Sequence, residues 1–328
     1  MTARPSFGSA VVTGGAGFIG SHLVEHLCAA GCRVTVVDDL STGSRENLAS
    51  TPADLVVADV ADPSVAPVFA SAEIVFHLAV RNVRASLTKP AENLAVNAAG
   101  TLAVLEAMRH GNRGRFVYLS SSEVYGDAPV EVFDEDVVPS PTTVYGAGKL
   151  AGEHVALAYH RSYGMDTRVV RPFNHYGPRS HFEGDSGEVI PKFVLRALAG
   201  RELVVHGDGS QTRDFSFVGD TPPWFVRIAE HPQLVGRTVN VGTGTEVSVS
   251  RLAQAVLAAT GSRSTVRHGD PRPGDLPRLL AGTSRLCGVM PDFALPTVLE
   301  DGIAATIDWF RRFDAEALLE REVSRTWD

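Results

Sequence analysis

The run Ser9-Ala10-Val11-Val12-Thr13 is followed at once by Gly14-Gly15-Ala16-Gly17-Phe18-Ile19-Gly20, and no other feature of the 328-residue chain restricts its fold as much. The apolar, β-branched run reads as a strand, and His22 to Leu27 carries apolar residues at the spacing of a helix packed on a sheet. In such a strand-turn-helix unit Gly14 permits the tight turn. Gly17 lets a pyrophosphate approach backbone amides at the helix N-terminus, and Gly20 lets helix and strand pack closely. The next apolar run, Cys32 to Val37, ends on Asp38, about 20 residues on, where a carboxylate can accept the hydroxyls of a ribose. Turn and acidic strand end together read as a dinucleotide site. Asp38 would repel a 2′-phosphate, which favours NAD over NADP, although Arg33 and Arg45 stand nearby.

Composition sets the frame. At 44% hydrophobic and 21% charged residues, the chain can bury one large core and a smaller lobe. Its formal net charge of -8 argues against a nucleic-acid partner, which needs a basic face. No apolar run approaches the roughly 18 residues of a membrane span, and Met1-Thr2-Ala3-Arg4-Pro5 lacks the apolar core of a signal peptide, so the expected location is the cytoplasm. Cys28, Cys32 and Cys287 show no paired metal spacing, and no metal is expected.

Strand candidates at 9–13, 32–37, 55–57, 73–78 and 115–120 alternate with helical stretches, among them Asn93 to His110 read as one helix. That alternation predicts an α/β, doubly wound parallel sheet of the Rossmann type with a smaller α/β substrate-binding lobe. Thr167 to Arg171 and Thr238 to Val241 are expected to join the same sheet. The predicted division is 1–171 plus 219–242 for the dinucleotide domain, 172–218 plus 243–290 for the lobe, and 291–328 as a C-terminal helical segment.

Tyr145-Gly146-Ala147-Gly148-Lys149 lies about 125 residues beyond the glycine turn. Residues four apart on a helix share a face, so an ammonium at Lys149 can favour the Tyr145 phenolate through space and make a usable base. The strand 115–120 leads into Ser120-Ser121-Ser122-Glu123, which puts hydroxyls and one carboxylate at the edge of the sheet where the nicotinamide is expected.

With these residues in view, the chain resembles the extended short-chain dehydrogenase/reductases that act on nucleotide sugars. The resemblance spans about residues 8–312. It rests on the glycine turn, Val37-Asp38-Asp39-Leu40-Ser41-Thr42-Gly43, His77-Leu78-Ala79, Asn97-x-x-Gly100-Thr101, Ser121 with Tyr145 and Lys149, Arg171-Pro172-Phe173-Asn174 and Tyr176-Gly177-Pro178-Arg179. It implies NAD contacts from Gly14, Gly17, Phe18, Ile19, Gly20, Asp38, Asp39, Ser41, Gly43, Leu78, Ala79, Asn97, Tyr145, Lys149 and Pro172, with Asp59 beside the adenine. It implies nucleotide-sugar contacts from Asn174 at the diphosphate, Arg213 and Arg272 near phosphate or ribose, and Arg179, His181, Val189 and Lys192. A homodimer through helices near 97–110 and 147–163, and a UDP-linked substrate, are further implications.

Members of this family share one opening step, in which the tyrosine takes the proton of the sugar 4-hydroxyl while hydride leaves C4, giving a 4-keto sugar. They then epimerise, dehydrate or decarboxylate. The Ser121-Ser122-Glu123 triplet is similar to the Thr-Ser-Glu of UDP-glucuronate decarboxylases, so decarboxylation is the leading expectation, with Ser121, Ser122 and Glu123 catalytic beside Tyr145 and Lys149. Arg81 or Arg84 would then pair the sugar carboxylate. The alternatives are 4-epimerisation, then dehydration, then a non-catalytic module that senses the dinucleotide.

Overall fold

The computed structural model describes residues 4–182, 188–271, 276–291 and 296–323. Strands β1 (Ser9–Thr13), β2 (Arg33–Asp38), β3 (Asp54–Val57), β4 (Ile74–His77), β5 (Arg115–Leu119) and β6 (Thr167–Pro172) pair in parallel. After β7 (Asn174–Tyr176), β8 (Leu203–His206) and β9 (Thr212–Phe217), the chain returns through β10 (Thr238–Val241) to complete a seven-stranded sheet. Its order is β10-β6-β5-β4-β1-β2-β3, the doubly wound arrangement expected from the alternating runs. Winding reverses between β1 and β4, which opens a crevice at the carboxyl ends of these strands.

Alternate residues of each strand point to opposite faces, and two cores result. Val12, Val36, Phe76, Val117 and Val239 pack under α1 (Phe18–Ala29). On the other face Val11, Val37, Val75, Phe116 and Val169 form a second cluster. This face is covered by α2 (Ala66–Ala70), by the chain running through α3 (Ala85–Thr88), α4 (Pro90–Leu94) and α5 (Thr101–His110), and by α6 (Val144–Tyr163). The stretch 93–110 departs from the expected single helix: a π-helical turn at Ala95–Gly100 separates α4 from α5 and changes the direction in which Asn97 faces.

The second lobe is built on α7 (Val189–Leu198) and on α9 (Val249–Thr260) between β11 (Glu246–Ser248) and β12 (Val266–Gly269), while α8 (Thr221–Glu230) returns against the first core. Two expected boundaries are corrected. After β13 (Arg278–Leu279), helix α10 (Ser284–Val289) puts Leu286, with Met290 just beyond it, into the core of the large sheet, so this stretch does not belong to the lobe. Conversely, α11 (Leu299–Phe310) and α12 (Ala315–Val323) are not a separate segment: Ile303, Ile307, Phe310 and Leu319 complete the apolar core around α7 and α9. In each case the apolar stripe of the helix is buried where a matching face is available.

Candidate active site

The glycine turn lies at the crevice. Gly14 has φ +67, and a Cβ on it would stand 2.8 Å from the Ala79 amide nitrogen. A Cβ on Gly20 would stand 2.2 Å from the Gly14 carbonyl oxygen, so only glycine allows α1 to start this close to β1. Gly17 is the N-cap of α1 and no side chain caps that end; with Phe18 and Ile19 it opens the helix toward the crevice. Gly43 brings the loop after β2 against the turn from the other side, its hypothetical Cβ 2.9 Å from the Ala16 carbonyl carbon. Leu78 and Ala79 continue β4 and hang on Thr13, whose hydroxyl accepts from both amides at 3.1 Å.

The acidic strand end is organised by backbone. Asp38 accepts from the Ala16 and Leu40 amides at 2.9 and 2.8 Å, and burial raises its pKa while those two bonds pull it down. Asp39 accepts from the Ser41 amide and hydroxyl at 3.0 and 2.6 Å. Asp59, just past β3, accepts from the Ala61 amide at 2.8 Å. An uncapped helix start, a turn that tolerates no Cβ and carboxylates at the ends of neighbouring strands fit an adenine dinucleotide.

The reaction end is formed by the start of α6. Thr143 caps that helix by accepting from the Gly146 amide at 3.0 Å, which sets Tyr145 in the first turn and Lys149 one turn on. Ser121 caps the short turn Ser122–Val124 by accepting from the Glu123 amide at 3.2 Å, and its side chain is hydrogen-bonded to Tyr145. Ser122 is buried beneath. Burial pushes the Tyr145 phenol up to about 12; Ser121 opposes this, while Glu123 and Glu188 add to it. Lys149 is buried with its ammonium 4.6 Å from the centre of the Tyr118 ring, and burial brings its pKa down to about 7 against the pull of Glu153.

Among the expected substrate residues, Asn174 opens β7 with its Oδ1 buried and without a hydrogen-bond partner among the described residues. Arg84 precedes α3 and bears electrostatically on Glu188. Val189 and Lys192 lie in the first turns of α7, and His181 packs edge-on against Phe18 with ring centroids 6.4 Å apart. Arg213 donates to the carbonyls of Thr212 and Leu276, both at 2.8 Å. Pro172 ends β6, and Arg272 lies outside the described residues.

Three of the expected residues have partners within the protein. Arg179, at φ +67, pairs with Glu25 of α1 and donates to the Asn47 carbonyl at 3.0 Å, tying the lobe to the dinucleotide domain. Asn97 spends its amide within the protein: its Oδ1 accepts from the Arg81 amide at 3.0 Å, and its Nδ2 donates to the Arg81 carbonyl at 3.0 Å and to Asn93 at 2.9 Å. These bonds hold the loop that carries Arg81. Arg81 turns from the sugar side to pair with Asp39 and Glu92. Glu188, unassigned by sequence reasoning, heads α7 with its amide donating to the His181 carbonyl at 2.7 Å, and burial lifts its carboxyl to about 8. Its stretch Glu188-Val189 is similar to that of the decarboxylases, but its proximity to Tyr145 emerges only from the fold.

The glycine turn, the acidic strand end and the serine–tyrosine–lysine group define a nicotinamide-dependent enzyme of the short-chain dehydrogenase/reductase class. The chain belongs to the NAD dependent epimerase/dehydratase family, whose pattern it matches over residues 10–242. It is 39% identical over 312 residues to UDP-glucose 4-epimerase of Mycolicibacterium smegmatis, covering 92% of this chain and 98% of that one. It is 34% identical over 313 residues to UDP-glucuronic acid decarboxylase 1 of Danio rerio, covering 92% of this chain and 72% of the relative. The structure of Thermus thermophilus UDP-glucose 4-epimerase in complex with NAD superposes with a TM-score of 0.84 at 33% identity, covering 92% of this chain and 99% of that one. NAD is the cofactor of the family. Among the described residues no helix is long and apolar enough to cross a membrane.

Proposed function

We propose that the chain is a UDP-sugar 4-epimerase acting on a hexose with a neutral C6, a revision of the decarboxylase expected from the triplet. The observation that carries the reading is the charge around the base. Glu123 and Glu188 both act on Tyr145, and Arg84 is already coupled to Glu188. The Glu188 carboxyl, raised to about 8, already gives up its charge here at neutral pH, and a uronate would bring a further carboxylate beside Glu123 into a site that disfavours negative charge. The 39% identity to a UDP-glucose 4-epimerase points the same way.

Tyr145 takes the proton of the 4-hydroxyl, and Ser121 hydrogen-bonds the same oxygen and keeps it oriented. NAD, when bound, supplies the hydride acceptor at C4. The 4-keto sugar then turns over within the lobe and is reduced on its opposite face, with Tyr145 returning the proton, so no further acid or base is needed. Asn174 is assigned to the diphosphate through its Nδ2 amide, which can donate to a phosphate oxygen. Exposed Leu94, Leu102 and Tyr163 on α4 to α6 suit a homodimer packed through these helices.

The triplet Ser121-Ser122-Glu123 favours a second reading, decarboxylation of UDP-glucuronate, with Glu123 acting at C5. Incubation of the protein and NAD with UDP-glucose and, separately, UDP-glucuronate, followed by proton NMR and mass spectrometry, separates the two. A product of unchanged mass with inverted C4 from UDP-glucose supports the epimerase. Loss of carbon dioxide from the uronate overturns it in favour of the decarboxylase.

A further inference from the structure

We propose that Arg81 is a clasp that closes over the adenosine side of bound NAD and slows its release. β1 lies between β4 and β2, so the loop after β4 and the loop after β2 are separated by the glycine turn at the end of β1. Both loops press on that turn, through Ala79 against Gly14 on one side and Gly43 against Ala16 on the other. Arg81 comes from the first loop and meets residues of the second: its guanidinium pairs with Asp39 at 2.8 Å and hydrogen-bonds to the Ser41 hydroxyl. To do so the side chain crosses the carboxyl end of β1, over the helix start that fits the pyrophosphate. The ring of contacts Gly14, Ala79, Arg81, Asp39, Ser41, Gly43 and Ala16 is thereby closed.

Two features make this a clasp with a fixed hinge. The backbone of Arg81 is pinned, its amide donating to Asn97 at 3.0 Å and its carbonyl accepting from Asn93 and Asn97 at 2.9 and 3.0 Å. The side chain, by contrast, reaches out to polar partners on other segments, with Glu92 gripping Nε at 3.0 Å as a second anchor, and it is 17% exposed. Side-chain rotation alone opens the bridge and leaves the loop where it is. Asp39 and Ser41 follow the strand end that faces the ribose, so the bridge spans the adenosine half and leaves the Ser121–Tyr145 end open to the sugar. Retaining the cofactor suits a cycle that returns hydride to the sugar it came from, and to that extent the inference rests on the redox-neutral reading above.

The test is the release rate of NADH, followed by stopped-flow fluorescence on displacement with excess NAD, together with the nicotinamide content of the protein as purified. Relative to the unaltered chain, Arg81→Ala is expected to speed release about tenfold, as loss of two partly exposed ion pairs and a hydrogen bond predicts, with the association rate within about threefold. Its copurified nicotinamide should fall. Arg81→Lys should restore part of the retention, and Glu92→Gln, which removes only the far anchor, should give a smaller rise and carries the test if Arg81→Ala folds poorly. Raising ionic strength should speed release from the unaltered chain more than from Arg81→Ala. Unchanged release in Arg81→Ala and Glu92→Gln overturns the clasp, as does an equal rise in association and release, which would make Arg81 an obstruction. Failure of the unaltered chain to bind NADH would instead count against the dinucleotide site itself.

Discussion

Arg171 at the end of β6 and Glu153 on α6 form a buried two-bond pair, Nε to Oε1 at 2.9 Å and Nη2 to Oε2 at 2.7 Å, with side chains 5% and 2% exposed. The guanidinium also lies 4.7 Å from the centre of the Tyr125 ring. This pair connects the strand that leads into the lobe with the helix that carries Tyr145 and Lys149. Removing one partner leaves a buried charge unmatched, so Glu153→Gln should destabilise the chain by about 3 to 5 kcal/mol, measured by urea denaturation. The double replacement Glu153→Leu with Arg171→Met should cost less than either single change. Additive losses would show that the charges do not compensate one another.

Tyr145→Phe keeps the ring in place and removes the proton acceptor. Turnover should fall by at least about a hundredfold, the lower range for a positioned acid–base group. NADH binding, read by fluorescence titration, should persist. Retention of full activity would rule out Tyr145 as the base.

The Glu188 carboxyl, raised to about 8, is protonated at neutral pH and becomes charged above that value. Its charge disfavours the Tyr145 phenolate, so ionisation of Glu188 works against the base as pH rises. Glu188→Gln removes this opposition. The ascending limb of the kcat/KM profile against pH should move to lower pH in the variant, and a limb that stays in place or moves upward would remove Glu188 from the surroundings of the base.

His77 gives a pH dependence of stability. Thr101 gives its own hydroxyl proton to the Asn97 carbonyl at 2.9 Å, so its oxygen accepts from the His77 Nε2–H at 3.1 Å. The Thr13 oxygen already accepts two amides, so its hydroxyl donates to Nδ1 at 2.8 Å. The neutral ring is thus fully matched. Burial, helped by the charge of Lys149, holds its pKa down at about 3 against an ordinary 6.5. The stability contributed by the neutral ring is present above about pH 6.5 and is lost as pH falls toward 3, by about 1.4 kcal/mol per pH unit. His77→Asn should show a shallower acid loss than the unaltered chain in denaturation curves at pH 7 and pH 5, and parallel losses would contradict the assignment.

The strand, turn and helix from Ser9 to Ala29, the carboxylate ending β2 and the helical spacing of Tyr145 and Lys149 were legible in the sequence because each depends on residues close together in the chain. Glycine at positions 14, 17 and 20 and apolar alternation in the strands are local requirements, and they carried the fold class and the cofactor with them. The C-terminal helices were legible as helices but not as part of the lobe. An apolar stripe says that a helix must be covered and leaves open which face covers it.

The site's charges could not be read in this way. Arg81 meets Asp39 only because β4 and β2 flank β1, and Arg179 meets Glu25 only because the lobe folds back on α1. Glu188 acts on Tyr145 across 43 positions of chain, and Asn97 is turned to its loop by a π-helical turn that no spacing announced. Sequence alone thus determined the dinucleotide fold and the NAD cofactor, and it nominated Tyr145 as the base. Tertiary structure decided which charges face that base and which are spent holding the protein together, because Coulomb interactions depend on distance in space and on the water excluded around each group, and neither is written in the order of the residues.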